Sequence, residues 1–265
     1  MRVPPTMPPL PPPPPARIRL HVAAALAAGA EVALSADQAH YLASVMRLRP
    51  GAAVRLFNGD GGEWRATVVV LDRKAAIARL AVRTRPPAPE PGPVLVFALI
   101  KRDRLDLVVE KATELGVERL VPVTTRRTVT QPPNPARLAA IAREAAEQSG
   151  RLTLPAIEPP RPLDRVLADW PAARPLLLAD PAAARPVGDA LAAAVGPPGV
   201  LIGPEGGFVP SELDELHALP FVVPVSLGPL VLRAETAAVA LLACCRALQP
   251  IAGAAGPAGA APEEG

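Results

Sequence analysis

Beyond residue 93 the chain alternates short apolar runs with longer segments of helical periodicity, and this alternation constrains the fold more than any other feature. Val94 opens a continuous apolar run to Ile100. Residues 103–115 follow, with Leu105, Val108, Val109, Ala112 and Leu115 on one helical face. Leu120-Val121-Pro122-Val123, a helix over residues 135–148 and Leu176-Leu177-Leu178 continue the pattern. Gly199-Val200-Leu201-Ile202 then leads into a helix signal at Ser211-Glu212-Leu213-Asp214, and residues 221–225 lead into an Ala/Leu-rich run ending at Leu248. Alternation of this kind predicts the α/β class, a largely parallel sheet covered by helices on both faces. The loops that follow parallel strands open at one sheet edge, where open α/β folds bind their ligands.

Two of those loops carry glycine. The first is Gly203-Pro204-Glu205-Gly206-Gly207-Phe208, and the second runs from Leu227-Gly228-Pro229 through Leu230, Val231, Leu232, Arg233, Ala234, Glu235 and Thr236. A phosphate cradle of the form G-x-x-x-x-G-K-[ST] is absent from the sequence. Glu205 instead places a carboxylate inside the first loop, which repels a pyrophosphate or triphosphate and suits a nucleoside ligand of positive charge. S-adenosylmethionine, a sulfonium, is such a ligand. The plainer reading of either loop alone is a tight connection shaped by glycine and proline. Two loops at one edge, the second bearing Arg233, Glu235 and Thr236, weigh against it.

The front of the chain differs in charge. Residues 1–86 hold twelve Lys/Arg against five Asp/Glu, whereas the remainder holds sixteen against twenty. A concentrated basic module fits a polyanionic partner, because phosphate contacts depend on local charge density; a solvated basic surface is the alternative. Its pattern is short and β-like at residues 17–22, 53–57, 64–70 and 76–82, with a turn at Asn58-Gly59-Asp60-Gly61-Gly62. One inserted helix, residues 36–48, presents His40, Tyr41 and Met46 together with Arg47, and Arg49 follows it. A small β-barrel with a basic helix is expected over residues 16–86.

The expected organisation is a proline-rich, extended or disordered segment at residues 1–15, the barrel at 16–86, a linker at 87–93, the α/β domain at 94–250 and a disordered tail at 251–265. The proline tract lacks the apolar core of a secretion signal, and no run reaches membrane-spanning length unbroken. The two cysteines, Cys244 and Cys245, are adjacent on one helix and point in different directions, so a reducing, cytoplasmic setting is expected. His21 and His217 have no neighbours with metal-ligand spacing, and no metal is expected.

Taken in order, these segments resemble the RsmE family of SPOUT-superfamily RNA methyltransferases. In the front domain the resemblance rests on His40-Tyr41-Leu42, Val45-Met46-Arg47-Leu48, Gly51 and Leu56-Phe57-Asn58-Gly59. In the second it rests on Lys101-Arg102-Asp103-Arg104, on Lys111 through Val117, on Glu144 through Arg151, and on the two glycine loops. It covers about residues 16–249, and the two loops as a pair are its most specific part. Leu230 departs from it, since many relatives carry a second arginine there. The resemblance implies a PUA-like front barrel, a trefoil-knotted second domain, a homodimer, and S-adenosylmethionine-dependent methylation of N3 of a uridine in 16S ribosomal RNA of the small subunit. It implies no membrane and no DNA partner.

Site residues follow from the same loops. Gly203, Gly206, Gly207 and Gly228 let backbone approach the cofactor closely, Leu227 and Leu232 are placed to sandwich adenine, and Leu178, Ile202, Pro204 and Thr236 complete the expected cofactor set. Uracil N3 attacks only after losing its proton, which leaves negative charge shared with O2 and O4. Arg233 is the candidate stabiliser of that charge. Glu205 and Glu235 are each placed to accept the proton, to pair with an arginine or to cap the following helix. Arg47, Arg49, Arg102, Arg104 and Arg151 are candidate phosphate contacts. Two other functions fit parts of the pattern: a catalytically inert RNA-binding or ribosome-assembly factor, and a nucleotide-dependent enzyme of small metabolites, which the missing phosphate loop disfavours.

Overall fold

The structure, a computed structural model, describes residues 16–128 and 132–248. The expected proline-rich extension and the Ala/Gly/Pro tail lie outside the described residues. The chain divides into two compact units, Met1–Pro87 and Ala88–Gly265.

In the first unit a five-stranded sheet takes the order β1-β3-β4-β5-β2. Its strands are β1 (Arg19–His21), β2 (Glu31–Leu34), β3 (Ala53–Asn58), β4 (Gly62–Leu71) and β5 (Ala76–Arg85). β1 runs parallel to β3 and the other ladders are antiparallel. The described ladders run from β1 at one end of the order to β2 at the other. β2 gave little sequence signal because Glu31-Val32-Ala33-Leu34 buries only two side chains. The expected single helix is two pieces: α1 (Ala36–His40), opened by Ser35 and Gln38 in a capping box, and a π-helical turn over Tyr41–Val45. Arg47 then takes φ 52°, which ends the helical path.

Glu63 is the charged centre of this unit. Its side chain is 2% exposed, and Oε2 accepts from Arg19 Nε at 2.6 Å while Oε1 accepts from the Thr84 hydroxyl at 2.9 Å. Burial pushes the carboxyl up, but the Arg19 hydrogen bond and charge, with Thr84 and Arg55, bring it below its ordinary value. The Arg19 guanidinium also lies 4.1 Å from the Phe57 ring centroid.

The second unit is a parallel sheet in the order β12-β10-β11-β6-β7-β8, with β9 also pairing β7. The strands are β6 (Val94–Ala98), β7 (Arg119–Thr124), β8 (Ala156–Ile157), β9 (Arg161–Pro162), β10 (Leu176–Ala179), β11 (Gly199–Ile202) and β12 (Val222–Val225). The helices are α2 (Arg102–Glu114), α3 (Pro135–Ser149), α4 (Leu163–Ala168), α5 (Val187–Ala193), α6 (Pro210–His217) and α7 (Ala234–Leu248). Every residue of β6 is buried, as its unbroken apolar run requires in a sheet covered on both faces. Leu95 and Phe97 join Val200, Ile202 and Leu177 in a core under α2, α3, α5 and α7. Val94, Val96 and Ala98 join Leu201, Leu176 and Leu178 in the opposite core, under α4 and α6. This split is the two-residue alternation of a strand applied to the whole sheet.

The expected linker is not free along its length. Gly92 and Pro93 are buried, and the Glu90 carboxylate accepts from the backbone N–H groups of Leu152 and Thr153 at 3.1 and 2.9 Å. Gly92 O accepts from Arg174 Nη2 at 2.8 Å, and a Cβ at Gly92 would stand 1.9 Å from Gly116 O. Residues 90–93 therefore belong to the second unit's packing.

Candidate active site

β10, β11 and β12 are parallel neighbours, so the loops after them emerge at one sheet edge. There they enclose a cleft of about 640 Å³, a size suited to a nucleoside-like ligand. Residues 203–208 form one wall and residues 227–234 the other, as expected from the glycine loops. Gly207 (φ 67°) and Gly228 (φ 107°) adopt backbone conformations that side chains oppose. Gly203 lies against the Phe208 ring, whose Cε2 would be 2.9 Å from an added Cβ.

Ile202, Pro204, Gly206, Leu227 and Leu232 line the cleft with Gly203, Gly207 and Gly228, as the sequence suggested. Leu178 and Thr236 do not line it. Leu178 is fully buried on the opposite face of the sheet, and the next residue, Ala179, lines the cleft. The strand period of two puts the expected contact one residue out of step. Thr236 is exposed on α7, while Ala234 and Ala237, three apart on the helix, face the cleft.

The charged residues separate in the same way. Glu205, Arg104 and Arg233 line the cleft, with Arg233 exposed. Glu235 is buried at 8% exposure in the first turn of α7, outside the lining, and its Oε2 has no hydrogen-bond partner. The Arg104 guanidinium stands between the two glutamates, with Nε 3.6 Å from Glu235 and Nη1 3.9 Å from Glu205. The backbone N–H of Lys101, the N-cap of α2, donates to Glu205 Oε1 at 3.4 Å.

Among the candidate phosphate contacts, Arg47 and Arg49 are exposed on the first unit and Arg102 on α2. Arg151 is a correction. It is 8% exposed, donates to Thr113 O at 3.1 Å and pairs with Glu90 at 3.7 Å. Burial pulls it down to about 10 against the raising charge of Glu90. A guanidinium spent on a buried carbonyl and carboxylate is not presented to a phosphate.

Two contributors escaped the sequence reading. Asp180 follows β10 and lines the cleft, its carboxylate accepting from Ala182 N–H at 2.9 Å and lying 3.2 Å from His217 Nε2. The leucine run before it already marked a third strand ending at that edge, so its loop was open to inference. Arg127, in the turn after β7, donates to Gly206 O through its guanidinium. It precedes residues 129–131, which the structure does not describe, and no motif singled it out.

The cleft fits a compact sulfonium nucleoside. Its walls are glycine backbone and aliphatic side chains, and its two arginines are matched by the carboxylates of Asp180 and Glu205. That balance leaves little net positive charge for a phosphate chain. Among the described residues no group of His, Cys, Asp and Glu could hold a metal ion, and no helix is long and apolar enough to cross a membrane.

Family comparisons agree with this architecture. The family model of an RNA methyltransferase domain matches residues 89–246, and that of an RNA methyltransferase PUA domain matches residues 34–81. Fold and cleft thus define an RNA methyltransferase with a PUA-type domain. Ribosomal RNA small subunit methyltransferase E of Rickettsia conorii is 32% identical over 235 residues, 87% of this chain and 95% of that protein. Its counterpart from Synechocystis is 34% identical over 236 residues, 87% of this chain and 77% of that protein. The chain belongs to the ribosomal RNA small subunit methyltransferase E family, the resemblance read from its motifs. A solved structure of the Neisseria gonorrhoeae family member bound to S-adenosyl methionine is similar with a TM-score of 0.79 and 28% identity, covering 87% of this chain and 97% of that one.

Proposed function

We propose that this protein transfers the methyl group of S-adenosylmethionine to N3 of a uridine in 16S ribosomal RNA of the small subunit. The cleft carries the reading: two glycine walls at one edge of a parallel sheet, with Arg233 exposed at the mouth. The cofactor supplies an electrophilic methyl carbon. The chain's part is to fix the line of attack and exclude water. Glycine backbone in both walls permits close approach, Leu227 and Leu232 offer apolar faces for the adenine, and Arg233 offers donors to the charge on the uracil oxygens.

Glu205 is the better placed of the two candidate bases. It lines the cleft with its side chain 33% exposed, whereas Glu235 is buried and outside the lining. We assign Glu235 to packing beside Arg104. For RNA, we assign phosphate contacts to exposed Arg47, Arg49 and Arg102. The family resemblance further supports a SPOUT-type trefoil knot, a homodimer and a cytoplasmic setting. The packing of α7 against α2, α5 and β11 is compatible with a knotted C-terminal segment.

The test is transfer of labelled methyl to small ribosomal subunits lacking this modification, followed by nucleoside digestion. Label in 3-methyluridine is the expected result. Cofactor binding with label in another nucleoside would reassign the target, and no cofactor binding would favour a non-catalytic RNA-binding or assembly factor.

A further inference from the structure

Arg104 follows the basic segment Lys101-Arg102 and reads from sequence as one more phosphate contact, yet its guanidinium is turned toward two glutamates. Glu205 belongs to one wall of the cleft. Glu235 begins the helix that continues the other wall. The first turn of α2 reaches both: Lys101 N–H and Arg104 Nη1 approach Glu205, and Arg104 Nε approaches Glu235. Among the described residues, the ion pairs of Glu205 and Glu235 are with Arg104 alone. The two pairs are partly shielded, the Arg104 side chain being 31% exposed and the Glu235 side chain 11%. Glu235 Oε2 is buried without a partner, so the carboxylate depends on that one guanidinium for compensation.

We infer that Arg104 is a positioning residue that staples the two walls of the cofactor cleft together through Glu205 and Glu235, rather than a contact to RNA phosphate. The inference rests on the proposed cofactor reading and deepens it. A guanidinium suits the task because it is always charged and has donors pointing in several directions; a lysine is one point charge. Pulling Glu205 toward α2 also fixes the loop whose glycine backbone lines the cleft. The walls are then set before the ligand arrives, which lowers the ordering cost of binding.

The experiment is calorimetric binding of S-adenosylmethionine to the full chain without RNA, for wild type, Arg104→Gln, Glu205→Gln and the double variant, with Arg143→Gln on α3 as an exposed control. Arg104→Gln is expected to weaken cofactor binding about tenfold, the scale of one charge-assisted interaction. The same change made on Glu205→Gln should weaken it less than about threefold, since the tie to that wall is already gone and only the Glu235 pair remains to be lost. RNA binding by Arg104→Gln should keep the wild-type salt slope, whereas loss of a phosphate contact lowers the slope by about 0.7–0.9. Arg104→Lys is the second variant should the glutamine form fail to fold; it should fold and bind the cofactor several-fold more weakly than wild type. Unchanged cofactor affinity in the folded variants, effects that multiply in the double variant, or a reduced salt slope would each overturn the staple. Absence of cofactor binding by the wild type would overturn the functional reading itself and the staple with it.

Discussion

The glycines of the cleft differ in why they are glycine, and that difference gives a graded prediction. Gly228 has φ 107°, beyond the small left-handed region open to side-chain-bearing residues, and a Cβ there would meet nothing within 4 Å. Gly228→Ala therefore costs backbone strain alone, about 1–3 kcal/mol. That strain has two places to appear. If the loop keeps its shape in the free protein, the whole cost is lost stability. If the loop relaxes, restoring its shape on binding weakens cofactor affinity by about 5- to 150-fold for the same energies. The sum of the two losses is the conserved quantity. Gly206 lacks the positive φ, and a Cβ there would find the flexible Arg127 side chain at 3.5 Å, an ordinary contact. Gly206→Ala is expected within about 0.5 kcal/mol of wild type in the unfolding of the free protein. Denaturant unfolding of the free protein and calorimetric titration with S-adenosylmethionine measure the two losses. Equal behaviour of the two variants, or a summed loss below about 0.5 kcal/mol for Gly228→Ala, would refute the strain argument.

Other residues give sharper single outcomes. Arg233→Ala should retain cofactor binding and lose most turnover in the labelled-methyl assay; full turnover would remove Arg233 from the mechanism. Arg151→Met should lose about 2 kcal/mol of stability in denaturant unfolding, because Thr113 O loses one of its two donors and Glu90 loses a buried cationic neighbour, while leaving the salt slope of RNA binding unchanged. Glu63→Gln should destabilise the first unit by about 3 kcal/mol at neutral pH, since Arg19 is left buried beside a neutral amide. The Glu63 carboxyl lies lower in the folded than in the unfolded state, so its contribution is present above the ordinary carboxyl value of 4.5 and fades as pH falls through the folded value. The gap between wild type and variant should narrow in acid unfolding. The Cys245 thiol, pushed up to about 12 by burial, should resist alkylation in the native protein at pH 8, where half-buried Cys244 reacts first in a mass-spectrometric time course. Because the folded value is raised, this thiol's contribution to stability is full below pH 9.0 and lost as pH climbs toward 12.

What sequence alone determined were features written in local order. The unbroken apolar run of β6 and the helical spacing along α2 required a sheet buried on both faces, because period and burial are properties of neighbouring residues. Parallel strands then obliged the loops after β11 and β12 to open at one edge, and Glu205 among glycines limited the charge of what could lie there. β2 escaped notice because four residues with two buried side chains carry too little periodicity. Only tertiary structure decided which side chains of those loops and helices face the cleft. Ala179 replaced Leu178 because side-chain direction reverses with every residue of a strand, and Thr236 turned outward because a helix face is set by what packs beneath it. It also decided the fate of the arginines. Arg104, Arg127 and Arg151 look alike in a sequence, but their partners, Glu205 and Glu235, Gly206 O, and Thr113 O with Glu90, lie between 38 and 131 residues away and are brought near by the fold. A charge's role depends on its neighbours in space, and those are fixed by the packing of the whole sheet and its helices rather than by the residues beside it in the chain.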